Sequence, residues 1–119
     1  MFSKPLGFFD YIRLQQSALC VISDSGTITE EASILEFPAV TIRNAHERPE
    51  GMDVGTLVMS GLEPADVLVA VRTVTHQHFE EKVRVSPPTD YQNTNVSSQI
   101  VRLIISYTGF VQRVVWRKA

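Results

Sequence analysis

Cysteine is almost absent from this 119-residue sequence, which contains only Cys20. A lone cysteine forms no internal disulfide, and its apolar neighbours indicate a small core residue in a reducing compartment. No apolar run reaches the 18 or more residues that a membrane-spanning helix needs. The composition therefore predicts a soluble globular domain in the cytoplasm, with no membrane span.

Clusters of histidine and cysteine at the spacing of metal ligands are also missing. His76 and His78 are two positions apart, and on a helix this spacing places them on different faces. The sequence therefore predicts no metal site there.

Acidic residues are absent from residues 91–119, which hold four of the 11 basic residues. A tail that binds nucleic acid would carry more bases in a flexible composition. Here the bases are spread through an apolar helical pattern. A helix end or a docking surface is the favoured interpretation, and no nucleic-acid partner is expected.

Apolar residues follow two alternating patterns along the chain. The helical pattern predicts helices at about 7–17, 27–36, 64–78 and 96–116, the last with a break at Gly109. Continuous apolar runs predict strands at 18–23, 39–43 and 55–60. Strands that alternate with helices predict an α/β fold with parallel pairing through right-handed crossovers.

The junction between the first strand and the next helix contains Ser25, Gly26 and Thr27. A helix N-terminus has unpaired N–H groups and partial positive charge, so this turn suits an anionic ligand such as a phosphate. Thr27 and Glu30 have the spacing of a capping box, so a merely well-capped helix is the alternative. In parallel sheets, ligands bind at the carboxyl ends of the strands, which predicts that this turn and the loop 44–53 face one crevice.

Four motifs stand out along the chain: Asp24-Ser25-Gly26, Glu30-Glu31-Ala32-Ser33, Phe37-Pro38-Ala39-Val40, and Arg43 followed by Glu47-Arg48-Pro49-Glu50. Together they resemble the C-terminal part of one family, the non-hydrolysing UDP-N-acetylglucosamine 2-epimerases. Residues 4–8 and 107–116 are similar to the branch that forms UDP-N-acetyl-L-fucosamine for capsule and O-antigen.

The resemblance implies the C-terminal Rossmann-like part of a glycosyltransferase-B-like fold, with a remnant of three parallel strands flanked by helices. Residues 1–83 would be a partial nucleotide-binding domain and residues 84–95 a linker. Residues 96–119 would form a helix, or a kinked helix pair, that packs on a missing N-terminal domain. We therefore expect a fragment of a longer protein, which as a whole is a homodimer.

The implied reaction is epimerisation at C2 of a UDP-2-acetamido sugar, by elimination and re-addition of UDP through a glycal intermediate. The implied partner is thus a UDP-sugar, and the implied route requires no nicotinamide, metal or other cofactor. The family's catalytic residues lie outside this sequence, so the isolated segment is predicted to be inactive. The alternative function is the nucleotide-sugar-binding half of a glycosyltransferase-B-type transferase, which would share the diphosphate site.

The resemblance also implies the UDP-binding residues. Ser25, Gly26 and Thr27 would bind the diphosphate, and Glu31 would accept hydrogen bonds from the ribose hydroxyls. The remaining positions are Arg48 at the UDP and Leu6 and Tyr11 beside the uracil.

Two of these residues have a purely structural alternative. Glu31 lies in the first turn of a predicted helix, where the helix dipole favours a carboxylate. Arg48 has a guanidinium fork that suits phosphate oxygens, but it could equally form an ion pair with Glu47 or Glu50.

Overall fold

The computed structural model describes residues 3–45 and 48–117. The strands are β1 (Val21–Ser23), β2 (Ala39–Thr41) and β3 (Val58–Met59). The helices are α1 (Phe8–Ser17), α2 (Ile28–Leu35), α3 (Pro49–Asp53), α4 (Pro64–Phe79) and α5 (Val96–Phe110). A 3₁₀ turn at Thr89–Tyr91 precedes α5, and a π-helical turn at Val111–Val115 follows it.

The three strands form one parallel sheet in the order β1-β2-β3, as the sequence predicts. β1 pairs with β2 from Val21 opposite Ala39 to Ser23 opposite Thr41. The strands are shorter than predicted. For β3 the reason is local, because the Gly55 and Thr56 N–H groups donate to carbonyls of α3 and residues 55–57 lie outside the strand.

The core forms on both faces of β2, whose three residues are all buried. Ala39 belongs to an apolar cluster with Ile28 and Ala32 of α2. Successive side chains of a strand point to opposite faces, so Val40 lies on the other face, where α4 contacts β2. Helices on both sides of a parallel sheet confirm the predicted α/β architecture.

Cys20 lies just before β1 and is half-buried. Burial raises the pKa of its thiol to about 11. The thiol therefore stays protonated at neutral pH. Cys20 lies at the border of the core, whereas the sequence predicts a place inside it.

The last helix departs from α-helical geometry at Val111, not at Gly109 where the sequence predicts a break. α5 continues through Gly109, and the α-helical hydrogen bonding gives way to a π-helical turn only at Val111. Its large apolar side chains are exposed, Ile105 to 75%. The chain extends over 62 × 30 × 29 Å with a radius of gyration of 18.9 Å, compared with about 13–14 Å for a compact chain of this length.

None of the helices in the part of the chain that the structure describes is long and apolar enough to cross a membrane.

Candidate functional site

A small cleft lies at the carboxyl ends of the strands, where the turn after β1 meets the segment after β2. Its empty volume is about 270 Å³. It is lined by Ser25, Gly26, Thr29, Thr41, Arg43, Ala45, Arg48, Met52 and Met59. The predicted convergence of the turn and the following loop on one crevice is therefore confirmed for the described residues. His46 and Glu47, which belong to that loop, lie outside them.

Hydroxyl groups organise the turn between β1 and α2. The Ser23 Oγ accepts a hydrogen bond from the Ser25 N–H at 3.1 Å. The Ser25 Oγ lies 3.0 Å from the Thr27 Oγ1 and accepts from the Thr27 N–H at 3.4 Å. The hydroxyls of Ser25 and Thr27 thus lie at the start of an eight-residue helix, where the helix dipole favours an anionic group such as a phosphate.

The predicted capping box between Thr27 and Glu30 does not form. Thr27 adopts a helical backbone conformation, with φ −68° and ψ −17°, and its side chain makes no capping hydrogen bond. An N-cap residue normally needs an extended backbone to turn its oxygen toward the helix. The simple alternative of a well-capped helix therefore fails for this side chain, whose hydroxyl contacts Ser25 instead.

Arg48 forms an ion pair with Glu30, its Nε lying 2.7 Å from the Glu30 Oε1. The sequence suggests Glu47 or Glu50 as the structural partner. Glu47 lies outside the described residues, and the charge of Arg48 contributes to the lowered pKa of Glu50. The ion pair itself is formed with Glu30, because α2 and the segment before α3 lie side by side. Both side chains are about one third exposed, at 34% and 35%. The guanidinium therefore stays accessible, and an anionic ligand would compete with Glu30 for it.

Glu31 contacts α1 through a buried amide. The Gln15 Nε2 donates a hydrogen bond to the Glu31 Oε2 at 2.6 Å, and Gln15 is only 3% exposed. Tyr11 lies one helical turn before Gln15, and its pKa is raised by burial and by the negative charge of Glu31. Gln15 thus contacts this carboxylate, and Tyr11 on the same face of α1 lies near its charge.

Three of the seven predicted residues, Ser25, Gly26 and Arg48, line the cleft. Thr27, Glu31, Tyr11 and Leu6 are not among its lining residues, although Thr27 contacts Ser25 and Tyr11 lies near the charge of Glu31. Leu6 is less constrained, since it precedes α1 in an irregular segment and is 45% exposed. The role of each of these residues in binding UDP stays a prediction.

A hydrogen bond from the predicted linker holds α3 in place. The Tyr91 hydroxyl donates to the Glu50 Oε1 at 2.8 Å. The pKa of Glu50 is lowered by a backbone N–H bond and by this hydroxyl, while the pKa of Tyr91 is raised by burial and by Glu50. Because Glu50 is two residues from Arg48, this contact fixes the segment that carries the guanidinium.

Sequence reasoning assigned no role in the site to several residues, among them Arg43, Gln15 and Tyr91. Arg43 lines the cleft directly after β2, and its place just beyond a predicted strand was the available signal. Gln15 and Tyr91 act across 16 and 41 residues of chain. For Gln15 the only local signal was its helical spacing from Tyr11, and for Tyr91 there was none.

The histidines do not form a metal centre in the described residues, which contain no group of three or more potential metal-binding side chains. The His76 Nε2 lies 3.2 Å from the Glu81 Oε1. The pKa of His78 is lowered by burial and by the charge of Arg84. His76 and His78 therefore lie beside charged side chains of the protein.

Both the sequence and the fold of this chain match known proteins. The family model for UDP-N-acetylglucosamine 2-epimerase matches residues 1–105. A solved structure of such an epimerase from Rickettsia bellii is 50% identical with a TM-score of 0.91, over 99% of this chain and 32% of that one. The epimerase of Methanocaldococcus jannaschii, solved in complex with UDP-GlcNAc and UDP, is 28% identical with a TM-score of 0.73, over 87% of this chain and 27% of that one.

Curated relatives agree with these structures. A UDP-N-acetylglucosamine 2-epimerase of Methanococcus maripaludis is 40% identical over 68 residues, which are 57% of this chain and 19% of the relative. One of Bacillus subtilis is 26% identical over 107 residues, which are 90% of this chain and 28% of the relative. The chain thus spans about a fifth to a third of the proteins it matches. With its parallel sheet, its strand–turn–helix cleft and these matches, the chain belongs to the UDP-N-acetylglucosamine 2-epimerase family.

Proposed function

We propose that this chain is the UDP-binding segment of an enzyme that epimerises a UDP-2-acetamido sugar at C2. The observation that carries the proposal is the cleft between the Ser25–Thr27 turn and Arg48 at the carboxyl ends of β1 and β2. The relative from Methanocaldococcus jannaschii, solved with UDP-GlcNAc and UDP, supports this choice of ligand.

The chemistry of the cleft suits each part of UDP. The backbone N–H groups at the start of α2 and the hydroxyls of Ser25 and Thr27 would donate to the diphosphate. Arg48 would add a guanidinium, exchanging its contact with Glu30 for one with phosphate oxygens. Glu31 would accept hydrogen bonds from the ribose hydroxyls, and backbone groups at Leu6 and Tyr11 would flank the uracil.

In the proposed reaction, a base removes the proton from C2 of the sugar. The C2–H electron pair forms a C1=C2 double bond, and the C1–O bond breaks with its electrons going to UDP. Return of UDP to C1 and of a proton to the opposite face of C2 gives the epimer. The part of this chain is to stabilise the negative charge that develops on the leaving diphosphate.

The groups that move the proton would come from an N-terminal domain of the complete gene product, and we propose that this product is a cytoplasmic homodimer. We also propose that residues 96–119 pack on that domain. The exposed apolar side chains of α5 support this arrangement, since an apolar helix face normally packs against another element.

For the finer assignment we propose the branch that makes UDP-N-acetyl-L-fucosamine for capsule and O-antigen. Residues 4–8 and 107–116, together with Thr27 after Ser25 and Gly26, support it. Activity of the complete gene product on UDP-N-acetylglucosamine and on its 6-deoxy relatives would separate this branch from the parent reaction.

The proposed site is tested with Ser25→Ala and Gly26→Val in the complete gene product. Both variants should weaken UDP binding, measured by calorimetric titration. The valine should weaken it more, because a branched side chain blocks approach of the phosphate to the backbone. Unchanged affinity in both variants would contradict this placement, and an enzyme that binds UDP but transfers the sugar would favour a transferase.

We further predict that residues 1–119 alone have no epimerase activity. Acid–base catalysis needs a proton-transferring group within hydrogen-bond reach of the C2 proton, and the family's groups for this lie outside the segment. The assay is conversion of UDP-N-acetylglucosamine by the purified segment, with the complete gene product as a positive control. Turnover by the segment would contradict the assignment of catalysis to another domain.

A further inference from the structure

Gln15 has an unusual environment for an amide side chain. It is 3% exposed, and its Nε2 donates to the Glu31 Oε2 at 2.6 Å. Its Oε1 is buried and has no hydrogen-bond partner within the described residues. Buried polar atoms are nearly always paired, and an unpaired acceptor is unfavourable for folding.

The orientation of this amide follows from its partner. If the amide were turned over, its oxygen would face a carboxylate oxygen, and neither atom could donate a proton. The nitrogen must therefore face Glu31, which leaves the oxygen unpaired. An apolar side chain of the same size would fill the space without an unpaired acceptor, so packing alone does not explain a glutamine here.

The role of Glu31, the partner in this hydrogen bond, gives a better reason for a glutamine at position 15. Glu31 is the predicted ribose ligand, and Gln15 occupies only its Oε2. A neutral donor fixes the carboxylate without neutralising it, whereas a lysine or arginine would compete with the ligand for its charge. In the proposed complex, the other oxygen, Oε1, would accept a hydrogen bond from a sugar hydroxyl.

We propose that Gln15 is a positioning residue that orients the Glu31 carboxylate toward the ribose hydroxyls of the bound uridine nucleotide. The proposal rests on the proposed function, since it assigns a role within the same UDP site. It predicts that Gln15 contributes to discrimination between ribose and sugars that lack its hydroxyls. It also predicts that Gln15 contributes little to the stability of the fold.

The test measures the affinities of the complete gene product for UDP and for 2′,3′-dideoxy-UDP. It compares the wild type with Gln15→Met, which removes the donor, and with Gln15→Glu, which places a second carboxyl group beside Glu31. The control is Gln16→Met, since Gln16 is the exposed neighbour on the same helix. Melting temperatures are recorded for all four proteins.

We expect the preference for UDP over the dideoxy analogue to fall about three- to tenfold in both Gln15 variants, a part of what a hydrogen bond to a charged group contributes. The Gln16 control should keep the full preference. Gln15→Met should melt close to the wild type, because it also removes the unpaired acceptor.

Two other results would overturn the proposal and are distinguishable from each other. If the wild type prefers UDP over the analogue and Gln15→Met keeps that preference, or loses affinity equally for both ligands along with its melting temperature, Gln15 is structural only. If the wild type binds no UDP at all, the proposed function fails first, and the positioning role fails with it.

Discussion

At the scale of single residues, the tightest packing beside the site involves Gly51 of α3. Gly51 is buried, and a Cβ atom built on it overlaps the Thr29 Cγ2 of α2. Thr29 itself is 6% exposed and lines the cleft. The absence of a side chain at position 51 thus lets α3 approach α2 closely enough for Arg48 to reach Glu30.

Gly51→Ala should therefore destabilise the fold and disturb the Arg48 segment. Overpacking of a buried contact costs about 1–3 kcal/mol, measured as the free energy of unfolding in denaturant. The matched control is Gly109→Ala, because nothing lies within 4 Å of a Cβ at that helical glycine. The control should be neutral or stabilising by about 0.5–1 kcal/mol, and equal effects of both substitutions would contradict this account.

Single residues also show how far the sequence could predict the site. The positions of Ser25, Gly26 and Arg48 at one cleft follow from local rules, since each comes just after a predicted strand or in the loop that follows one. The capping box was wrong because its residue spacing does not reveal the backbone angles of Thr27 or the distant partner of Glu30. The contact between Gln15 and Glu31 depends on how α1 packs against α2, which no local pattern specifies.

At the scale of elements, the order of strands and helices was predictable and their ends were not. Apolar periodicity identified α1, α2 and α4 to within one residue. β3 was predicted at six residues and has two, because residues 55 and 56 bond to α3 instead. The short helix α3 has five residues and no apolar period long enough to predict it.

The contact between the 3₁₀ turn at Thr89–Tyr91 and α3 has a pH dependence that can be worked out. The pKa of Tyr91 is raised in the folded chain by burial and by its bond to Glu50. The stability from this contact is therefore fully present below the ordinary tyrosine pKa of about 10 and is lost as the pH rises above it. The pKa of Glu50 is lowered, so the same contribution is also lost as the pH falls below about 4.

Tyr91→Phe should accordingly be less stable than the wild type at neutral pH, and the difference should shrink above pH 10 and below pH 4. The measurement is the melting temperature of both proteins across this range. Cys20 and Tyr11 also titrate in alkali, but both are present in the two proteins, so their effects cancel. A difference that does not change with pH would show that the hydroxyl bond contributes nothing.

At the scale of the whole molecule, the described chain has one well-packed part and one extended part. The sheet with α2 and α4 buries its core on both sides, whereas α5 exposes large apolar side chains along its length. The exposed apolar face of α5 agrees with a chain that spans about a fifth to a third of its relatives and, in our proposal, packs on another domain.

A second cleft, with an empty volume of about 560 Å³, lies near the amino ends of β2 and β3, beside Phe37, Gly55 and His78. This second cleft is larger than the proposed site. It lies at the amino ends of the strands, whereas the N-terminus of α2 and Arg48 lie at the carboxyl ends. Ligands of open parallel sheets bind at the carboxyl ends of the strands, which favours the smaller cleft.

Hydrogen exchange in the complete gene product, with and without UDP, tests whether UDP binds at the turn between β1 and α2. We predict slower amide exchange on UDP binding in residues 24–31 and 48–53, with little change in α4. Slower exchange confined to α4 or to the segment around Gly55, with residues 24–31 unchanged, would contradict it.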